Sequence, residues 1–144
     1  MFCDYHVHLD KTEWSASAIG EMCEQARRAG VDRIGIVVHT KCLSGFEPLY
    51  AHLMSRKSRW RKLTFDKDID RYFEVLKEAQ SSGYPVDIGA EVCYSPEGED
   101  FLRRKLKEYP FDYTIGSVHL IHDMHYKTAV ETYRDERIVG EMYY

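Results

Sequence analysis

The 144-residue sequence has no run of 18 or more apolar residues, and it therefore predicts no membrane-spanning helix. It also lacks the apolar stretch of a signal peptide, because Asp4 and other polar residues occupy the first positions. We therefore expect a cytoplasmic protein. Repeats and low-complexity segments are absent as well, and 44% hydrophobic with 31% charged residues fit a single folded domain over residues 1–144.

CxxC pairs and a strong excess of positive charge are also missing. The four cysteines lie far apart, so neither a zinc ribbon nor a thioredoxin-like redox pair can be built from them. A net charge of −4 gives no overall signal for nucleic-acid binding. One local basic cluster, RKSRWRK at 56–62, is either a solvated surface or an anion site, and Arg56, Arg59 and Arg61 are its candidate phosphate contacts.

What the sequence does contain is an alternation of strand and helix patterns. Strand patterns occupy 2–9, 31–39, 86–94 and 111–121, and helical patterns occupy 15–29, 66–80, 96–109 and 124–137. Residues 40–64 predict a long loop with a short helix. The alternation predicts right-handed βαβ units and a parallel α/β sheet, open or curled into a barrel. Since a complete (β/α) barrel takes about 250 residues, this chain can form about half of one.

A metal-ligating residue type stands at the end of each predicted strand. In chain order these residues are His6 and His8, then His39, Glu91 and His119. The carboxyl ends of parallel strands share the face on which active sites are built, so we expect the five side chains to converge. The carboxylate of Glu91 lies in the apolar run IGAEVCY, where burial is costly unless a cation or a fixed donor meets it.

The two histidines of the first strand form an HxH pair, which is a weak motif alone. Residues i and i+2 of a strand point the same way about 7 Å apart, near enough for both imidazoles to reach one ion. Strict alternation places His6 and His8 with Phe2 and Asp4 on one face. For His39 alone, a buried hydrogen-bonded histidine is an equal alternative. Three further histidines lack a strand-end position: His52, which we expect to be exposed, His122 and His125.

Mixed imidazole and carboxylate ligands suit zinc, manganese or iron better than calcium or magnesium. Such ions lower the pKa of a bound water towards neutrality and stabilise negative charge that develops on the group being cleaved. The strand-end residues therefore predict hydrolytic chemistry that depends on divalent metal.

Three segments resemble one known family. DYHVHLD, GAEVCY and PFDYTIGSVH, in this order and separation, resemble the PHP (polymerase and histidinol phosphatase) superfamily, and the last two are most similar to its histidinol-phosphate phosphatase branch. The resemblance implies a distorted seven-stranded TIM-like barrel that carries up to three divalent metals. It also implies hydrolysis of L-histidinol phosphate to histidinol and phosphate in histidine biosynthesis.

The resemblance also implies a role for each strand-end residue. His6 and His8 match the ligands of one metal, and Glu91 matches the carboxylate that bridges two metals. His119 matches a ligand of the second metal and His39 a ligand of the third. Glu91 and His119 are accordingly the residues expected to be essential for catalysis.

The family's later ligands, a histidine and an Asp-x-His from its last strands, have no counterpart in these 144 residues. Trp14 stands where the family has a further histidine or aspartate. We therefore expect a barrel truncated after the fourth strand, with fewer than three metals. Three explanations stay open: a fragment of a longer protein, a shortened homologue that closes its sheet as a homo-oligomer, and a relic with little activity.

The leading functional hypothesis is a metal-dependent phosphatase acting on a small phosphorylated substrate. A non-catalytic metal-binding or phosphate-binding module is the main alternative. Within the family, a protein-tyrosine phosphatase or an exonuclease is the next. A metal hydrolase of the amidohydrolase type also uses HxH on its first strand, but its mid-barrel lysine has no identifiable counterpart here.

Overall fold

Four parallel strands form the central sheet in the order β1-β2-β3-β4. The strands are β1 Cys3–His8, β2 Arg33–Val37, β3 Val86–Cys93 and β4 Tyr113–Ser117. The computed structural model describes residues 1–9, 12–51, 63–121 and 124–143. In it the sheet curls into a half-barrel, which confirms the predicted α/β class and the partial TIM-like barrel.

Within the described residues, five helices and three short 3-10 turns connect and follow the strands. The helices are α1 Ala16–Arg28, α2 Ile69–Ser81, α3 Glu99–Lys105, α4 Tyr126–Tyr133 and α5 Glu136–Tyr143. The 3-10 turns are Thr40–Cys42, Glu47–Tyr50 and Pro96–Gly98. Side-chain oxygens cap the N-termini of the two long helices. The Ser15 Oγ accepts the Ala18 N–H at the start of α1, and the Asp68 carboxylate accepts the Asp70 N–H at the start of α2. No described helix is long and apolar enough to cross a membrane.

The hydrophobic core lies between α1, α2 and the convex face of the sheet. Tyr72 of α2 is fully buried, and its hydroxyl lies 2.9 Å from the Ile36 carbonyl oxygen and 2.8 Å from that of Gly89. The helix is therefore tied to both central strands by polar contacts as well as by packing. The other buried side chains on this side include Ile19, Cys23, Ile34, Leu76, Ala79, Val86, Ile88 and Ala90.

The concave face of the sheet is crossed by one aromatic side chain, that of Tyr113 on β4. Its hydroxyl donates to the Tyr5 carbonyl oxygen on β1 at 2.9 Å, so it reaches across β3 and β2. The two intervening positions are glycines: a Cβ on Gly89 would lie 2.4 Å from Tyr113 Cζ, and one on Gly35 would lie 2.3 Å from its hydroxyl oxygen. The absent side chains of Gly35 and Gly89 make the room that this ring occupies.

A β-bulge interrupts β1. Asp4 pairs with Ile34 and Val7 pairs with Ile36, so β1 has one more residue than β2 in this interval. The side chain of Asp4 accepts the His6 N–H at 3.0 Å, a local bond that supports the irregular backbone. The extra residue breaks the alternation, and the prediction that residues 2–8 alternate strictly between two faces is wrong.

Most predicted elements are present with shifted ends. The helix predicted over 96–109 is a 3-10 turn followed by α3, which ends at Lys105. The strand predicted over 111–121 ends at Ser117, and Leu120–Ile121 instead pairs antiparallel with Met124–His125. The helix predicted over 124–137 is therefore wrong at its start and divides into α4 and α5. Two-residue strands are too short to show a periodicity, which explains the error.

The close approach of Tyr113 to Gly89 predicts a large effect of a single methyl group. Gly89→Ala should lower the free energy of unfolding by about 1–3 kcal/mol, because the ring must move and its bond to β1 is strained. Gly116→Ala on β4 is the matched control, since nothing lies within 4 Å of its added Cβ. Chemical denaturation of both variants measures the difference, and equal stabilities would contradict this account of the concave face.

Candidate metal centre

The carboxylate of Glu91 is the centre of a cluster of four imidazoles. Glu91 lies on β3 with only 5% of its surface exposed. Its Oε2 is 3.3 Å from His6 Nε2, 3.2 Å from His8 Nε2 and 3.1 Å from His39 Nδ1. Its Oε1 is 3.1 Å from His119 Nε2. The five residues predicted from the strand ends are thus brought together at one end of the half-barrel.

The β1 bulge explains how both histidines of the HxH pair reach Glu91. Before the bulge Asp4 pairs with Ile34 of the core-facing side, whereas beyond it His8 pairs with Val37. The His8 ring therefore points into the half-barrel, towards Glu91. The His6 and His8 ring centroids are 5.0 Å apart, and His8 stacks on His39 at 4.7 Å. The imidazoles therefore support one another's orientation as well as facing the same carboxylate.

His39 lies two residues beyond the end of β2 and is held by a backbone bridge to Glu91. The next residue, Thr40, is fully buried, and its Oγ1 lies 2.7 Å from the Tyr50 hydroxyl oxygen and accepts the Cys93 N–H at 3.4 Å. These bonds tie the end of β2 to the end of β3. The backbone on either side of His39 is consequently fixed relative to Glu91.

His119 lies two residues beyond the end of β4, not in the strand as the sequence predicts. Its Nδ1 is 3.1 Å from the Ser117 Oγ, on the side of the ring away from the Nε2 that faces Glu91. Its ring centroid is 5.5 Å from that of His39. The loop position does not remove His119 from the cluster, because Ser117 and Glu91 contact opposite nitrogens of its ring.

The electrostatics of the cluster favour a negatively charged Glu91. Burial acts to raise the pKa of this carboxyl. Electrostatic attraction to His39, a hydrogen bond from Ser117 and electrostatic attraction to His119 act to lower the pKa. The lowering effects prevail, so the pKa of Glu91 lies below its ordinary value. The group is therefore a carboxylate at neutral pH despite being buried.

The donor set fits a divalent cation. Three imidazole nitrogens converge on Oε2 of Glu91, yet one carboxylate oxygen offers about two lone-pair directions for hydrogen bonds. Ligand atoms around a metal with bonds of about 2.1 Å stand roughly 3.0–3.4 Å apart, and the contacts to Glu91 measure 3.1–3.3 Å. Two overlapping groups have suitable geometry, His6 with His8 and Glu91, and His39 with Glu91 and His119; within each, the ligand atoms lie within 4.8 Å of one another.

The cluster is accessible from the β1 side. The His6 side chain is 52% exposed, whereas those of His39 and His119 are 19% and 20% exposed. Glu91 and the two less exposed histidines therefore form the inner part of the site. His6 forms its open side.

Asp4 and Trp14, on either side of the HxH pair, have contacts other than the cluster. Asp4 bonds to the His6 backbone, and the Trp14 Nε1 donates to the Leu9 carbonyl oxygen while its ring packs against Tyr72. The proposed phosphate contacts Arg56, Arg59 and Arg61 lie outside the described residues, as do Asp10, His52 and His122. His125 belongs to the short antiparallel hairpin.

Sequence reasoning missed the polar residues that hold the ligands in place. Thr40, Tyr50 and Ser117 donate or accept the bonds that fix His39 and His119. For Thr40 and Ser117 the sequence offered one signal, their nearness to a predicted ligand: Thr40 follows His39 directly, and Ser117 precedes His119 by two residues. Tyr50 gives no such signal, since its contact depends on the path of the intervening loop.

The fold and the cluster together define an α/β half-barrel with candidate metal ligands at the carboxyl ends of its parallel strands. Comparison with protein-family models gives the family: the model described as PHP domain matches residues 4–143, and the chain belongs to this family. Neither the curated proteins nor the solved structures contain a match. The PHP family is one of metal-dependent phosphoesterases, which agrees with the histidine and glutamate groups found here.

The shared position of Glu91 predicts that metal binding depends on its charge. Glu91→Gln keeps the size of the side chain but removes the negative charge common to both ligand groups. Because loss of an outer-shell partner alone costs about 10–100-fold in metal affinity, we expect this change to weaken Zn²⁺ or Mn²⁺ binding by at least about 100-fold. Isothermal titration calorimetry of the metal-free protein measures the effect.

Glu78→Gln is the control for this experiment, because Glu78 is exposed on α2. It should bind metal as the unaltered protein does. Undiminished affinity in Glu91→Gln would show that the cluster is a hydrogen-bonded core rather than a metal centre.

Proposed function

We propose that this protein is a metal-dependent phosphatase that hydrolyses a small phosphate monoester of the L-histidinol phosphate type. The observation that carries the proposal is the buried carboxylate of Glu91 facing four imidazoles at the open end of a parallel half-barrel. The choice of substrate rests on the segments GAEVCY and PFDYTIGSVH, which contribute Glu91 and His119 and are similar to the histidinol-phosphate phosphatase branch.

In this proposal His6, His8, His39, Glu91 and His119 hold zinc, manganese or iron. A bound ion of this kind supplies Lewis-acid activation of water and of the phosphoryl group. Glu91 contributes a single negative charge against several neutral imidazoles, so a loaded site keeps a net positive charge that attracts a phosphate dianion. Its low pKa keeps that charge constant through neutral pH.

Other residues hold the ligands in place and define the side from which the substrate enters. The bonds of Thr40 to Tyr50 and to the Cys93 backbone hold the strand ends at a fixed distance, so the ligands need little reorganisation during the reaction. Tyr113 fills the concave face below the cluster and keeps the substrate at the strand ends. The half-exposed ring of His6 marks the side from which the phosphate group enters.

A second candidate function is binding without catalysis. In the described part of the chain β1 and β4 are the two outermost strands of the sheet, and the His6 side chain on β1 is 52% exposed. Water can reach the cluster at His6, so the low-dielectric surroundings that strengthen charge stabilisation are incomplete on that side. This arrangement favours a module that binds metal and phosphate but turns over slowly.

Phosphate release separates the two candidates. We expect protein loaded with Zn²⁺ or Mn²⁺ to release phosphate from L-histidinol phosphate, and Glu91→Gln to lower kcat/KM by at least about 100-fold through loss of charge stabilisation. A phosphotyrosine peptide and a single-stranded oligonucleotide test the other activities of the family. Glu78→Gln should retain the wild-type rate.

Each result has a definite meaning. Metal binding by calorimetry without turnover of any of the three substrates would establish the binding module and exclude the phosphatase. Faster turnover of the phosphopeptide or the oligonucleotide than of L-histidinol phosphate would replace the proposed substrate class while keeping the metal-dependent phosphoesterase.

A further inference from the structure

Lys67 lies in the connection between β2 and α2, and its backbone is tied to the segment that directly follows β2. It forms a parallel bridge with Leu43, and its N–H donates to the Cys42 carbonyl oxygen at 2.9 Å. Cys42 in turn donates its N–H to the His39 carbonyl oxygen, also at 2.9 Å. Two backbone bonds therefore link Lys67 to one of the candidate metal ligands.

The ammonium group of Lys67 reaches the connection that follows β1. Its Nζ lies over the ring of Trp14, 5.5 Å from the ring centroid. The Trp14 Nε1 donates to the carbonyl oxygen of Leu9, the residue directly after His8, at 3.3 Å. The His8 and His39 rings stack at 4.7 Å. Both segments that hold the Lys67 side chain thus begin at the same pair of imidazoles.

The charge of Lys67 is not neutralised within the described residues. No described carboxylate forms an ion pair with this half-buried side chain. Of the two aspartates next to it in sequence, Asp66 is exposed, and Asp68 directs a carboxylate oxygen to the Asp70 N–H at the start of α2. An ammonium group held on an indole face without an acidic partner can accept an anion from solution.

A second lysine shows what the paired arrangement looks like. Lys105 lies over the ring of Tyr109, 5.1 Å from its centroid, but its Nζ is also 2.7 Å from the Glu108 Oε2. The contact of a lysine with an aromatic ring therefore does not require the ammonium to stay unpaired. At Lys67 the ring contact is present and the acidic partner is missing from the described residues.

We propose that Lys67 binds the phosphate group of the substrate at the metal centre. This role deepens the proposed function, from which the identity of the anion is taken. Sites at the carboxyl ends of parallel strands are built from the connections that follow the strands. An ammonium group held between the first two of these connections is available to a phosphate at the His8 and His39 side of the cluster. A lysine supplies a compact positive charge on a flexible stem, which suits a phosphate oxygen.

Phosphate affinity tests the charge of Lys67. We expect calorimetric titration of the Zn²⁺-loaded protein with inorganic phosphate to show about 10-fold weaker binding in Lys67→Met, because a hydrogen bond between charged groups is lost. The Met side chain still packs on Trp14, so a role in packing alone predicts no change in affinity. Lys67→Arg keeps the positive charge and should stay within a few-fold of the unaltered protein.

Lys77→Met is the matched control. Lys77 also lies over an aromatic ring, that of Phe73 on α2, at 5.9 Å from its centroid. The Phe73 ring contacts Phe111, which precedes β4 and so lies near the amino ends of the strands. This substitution removes the same charge at the other end of the sheet and should leave phosphate affinity unchanged. Equal losses in the Lys67 and Lys77 variants would reduce the effect to overall charge and overturn the proposal.

Turnover provides an independent measurement. In hydrolysis of L-histidinol phosphate we expect Lys67→Met to raise KM about 10-fold and to leave kcat within a few-fold, because the phosphate is held in both the substrate and the transition state. An unchanged KM would contradict direct contact between Lys67 and the phosphate group.

The outcomes for Lys67 and for the proposed function are distinguishable. Hydrolysis of L-histidinol phosphate, with equal phosphate affinity in Lys67→Met and the unaltered protein, would overturn the role of Lys67 and keep the phosphatase. Phosphate binding that weakens in Lys67→Met but not in Lys77→Met, without turnover of any of the three substrates, would uphold the role of Lys67 and reject the phosphatase. Failure of the Zn²⁺-loaded unaltered protein to bind phosphate would overturn the role of Lys67.

Discussion

The interaction on which the rest of the structure depends is the burial of one negative charge among four imidazoles. An isolated carboxylate inside a protein costs far more free energy than a domain of this size has to spare. Glu91 is tolerated because histidines from β1 and from the segments that follow β2 and β4 approach it within hydrogen-bond distance. The same proximity leaves more nitrogen donors around one oxygen than hydrogen bonds can use, and this surplus distinguishes the candidate metal centre from an ordinary buried ion pair.

The sequence predicted the parts of this site that follow from periodicity. A parallel arrangement of strand and helix patterns places strand ends together, and each strand end carried a histidine or glutamate. That reasoning located all five clustered residues, and it remained valid for His39 and His119 although both lie just beyond their strands. A ligand two residues past a strand end still belongs to the same rim of a parallel sheet, which makes the prediction tolerant of errors in strand length.

The parts that escaped prediction depend on individual tertiary contacts. The bulge in β1 is accompanied by a bond that the His6 N–H donates to the Asp4 carboxylate, and nothing in an alternating pattern distinguishes Asp4 from an ordinary exposed aspartate. The buried bond between Thr40 and Tyr50 depends on a loop that the sequence shows only as irregular. The family resemblance supplied the ligand roles, but the polar residues behind the ligands became visible only in three dimensions.

The bulge in β1 also limits what the histidine pair means as a motif. The i, i+2 spacing of HVH directs both imidazoles to one face, and the extra residue just before them turns that face towards the carboxylate. On a regular strand the preceding residue, Tyr5, would lie on the face opposite to the two imidazoles. The bond that the His6 N–H donates to Asp4 would also be lost. Designers who copy metal sites between scaffolds would therefore need to copy a backbone irregularity together with the coordinating residues. Loss of a single residue from this strand would in turn disable the centre without altering any of its ligands.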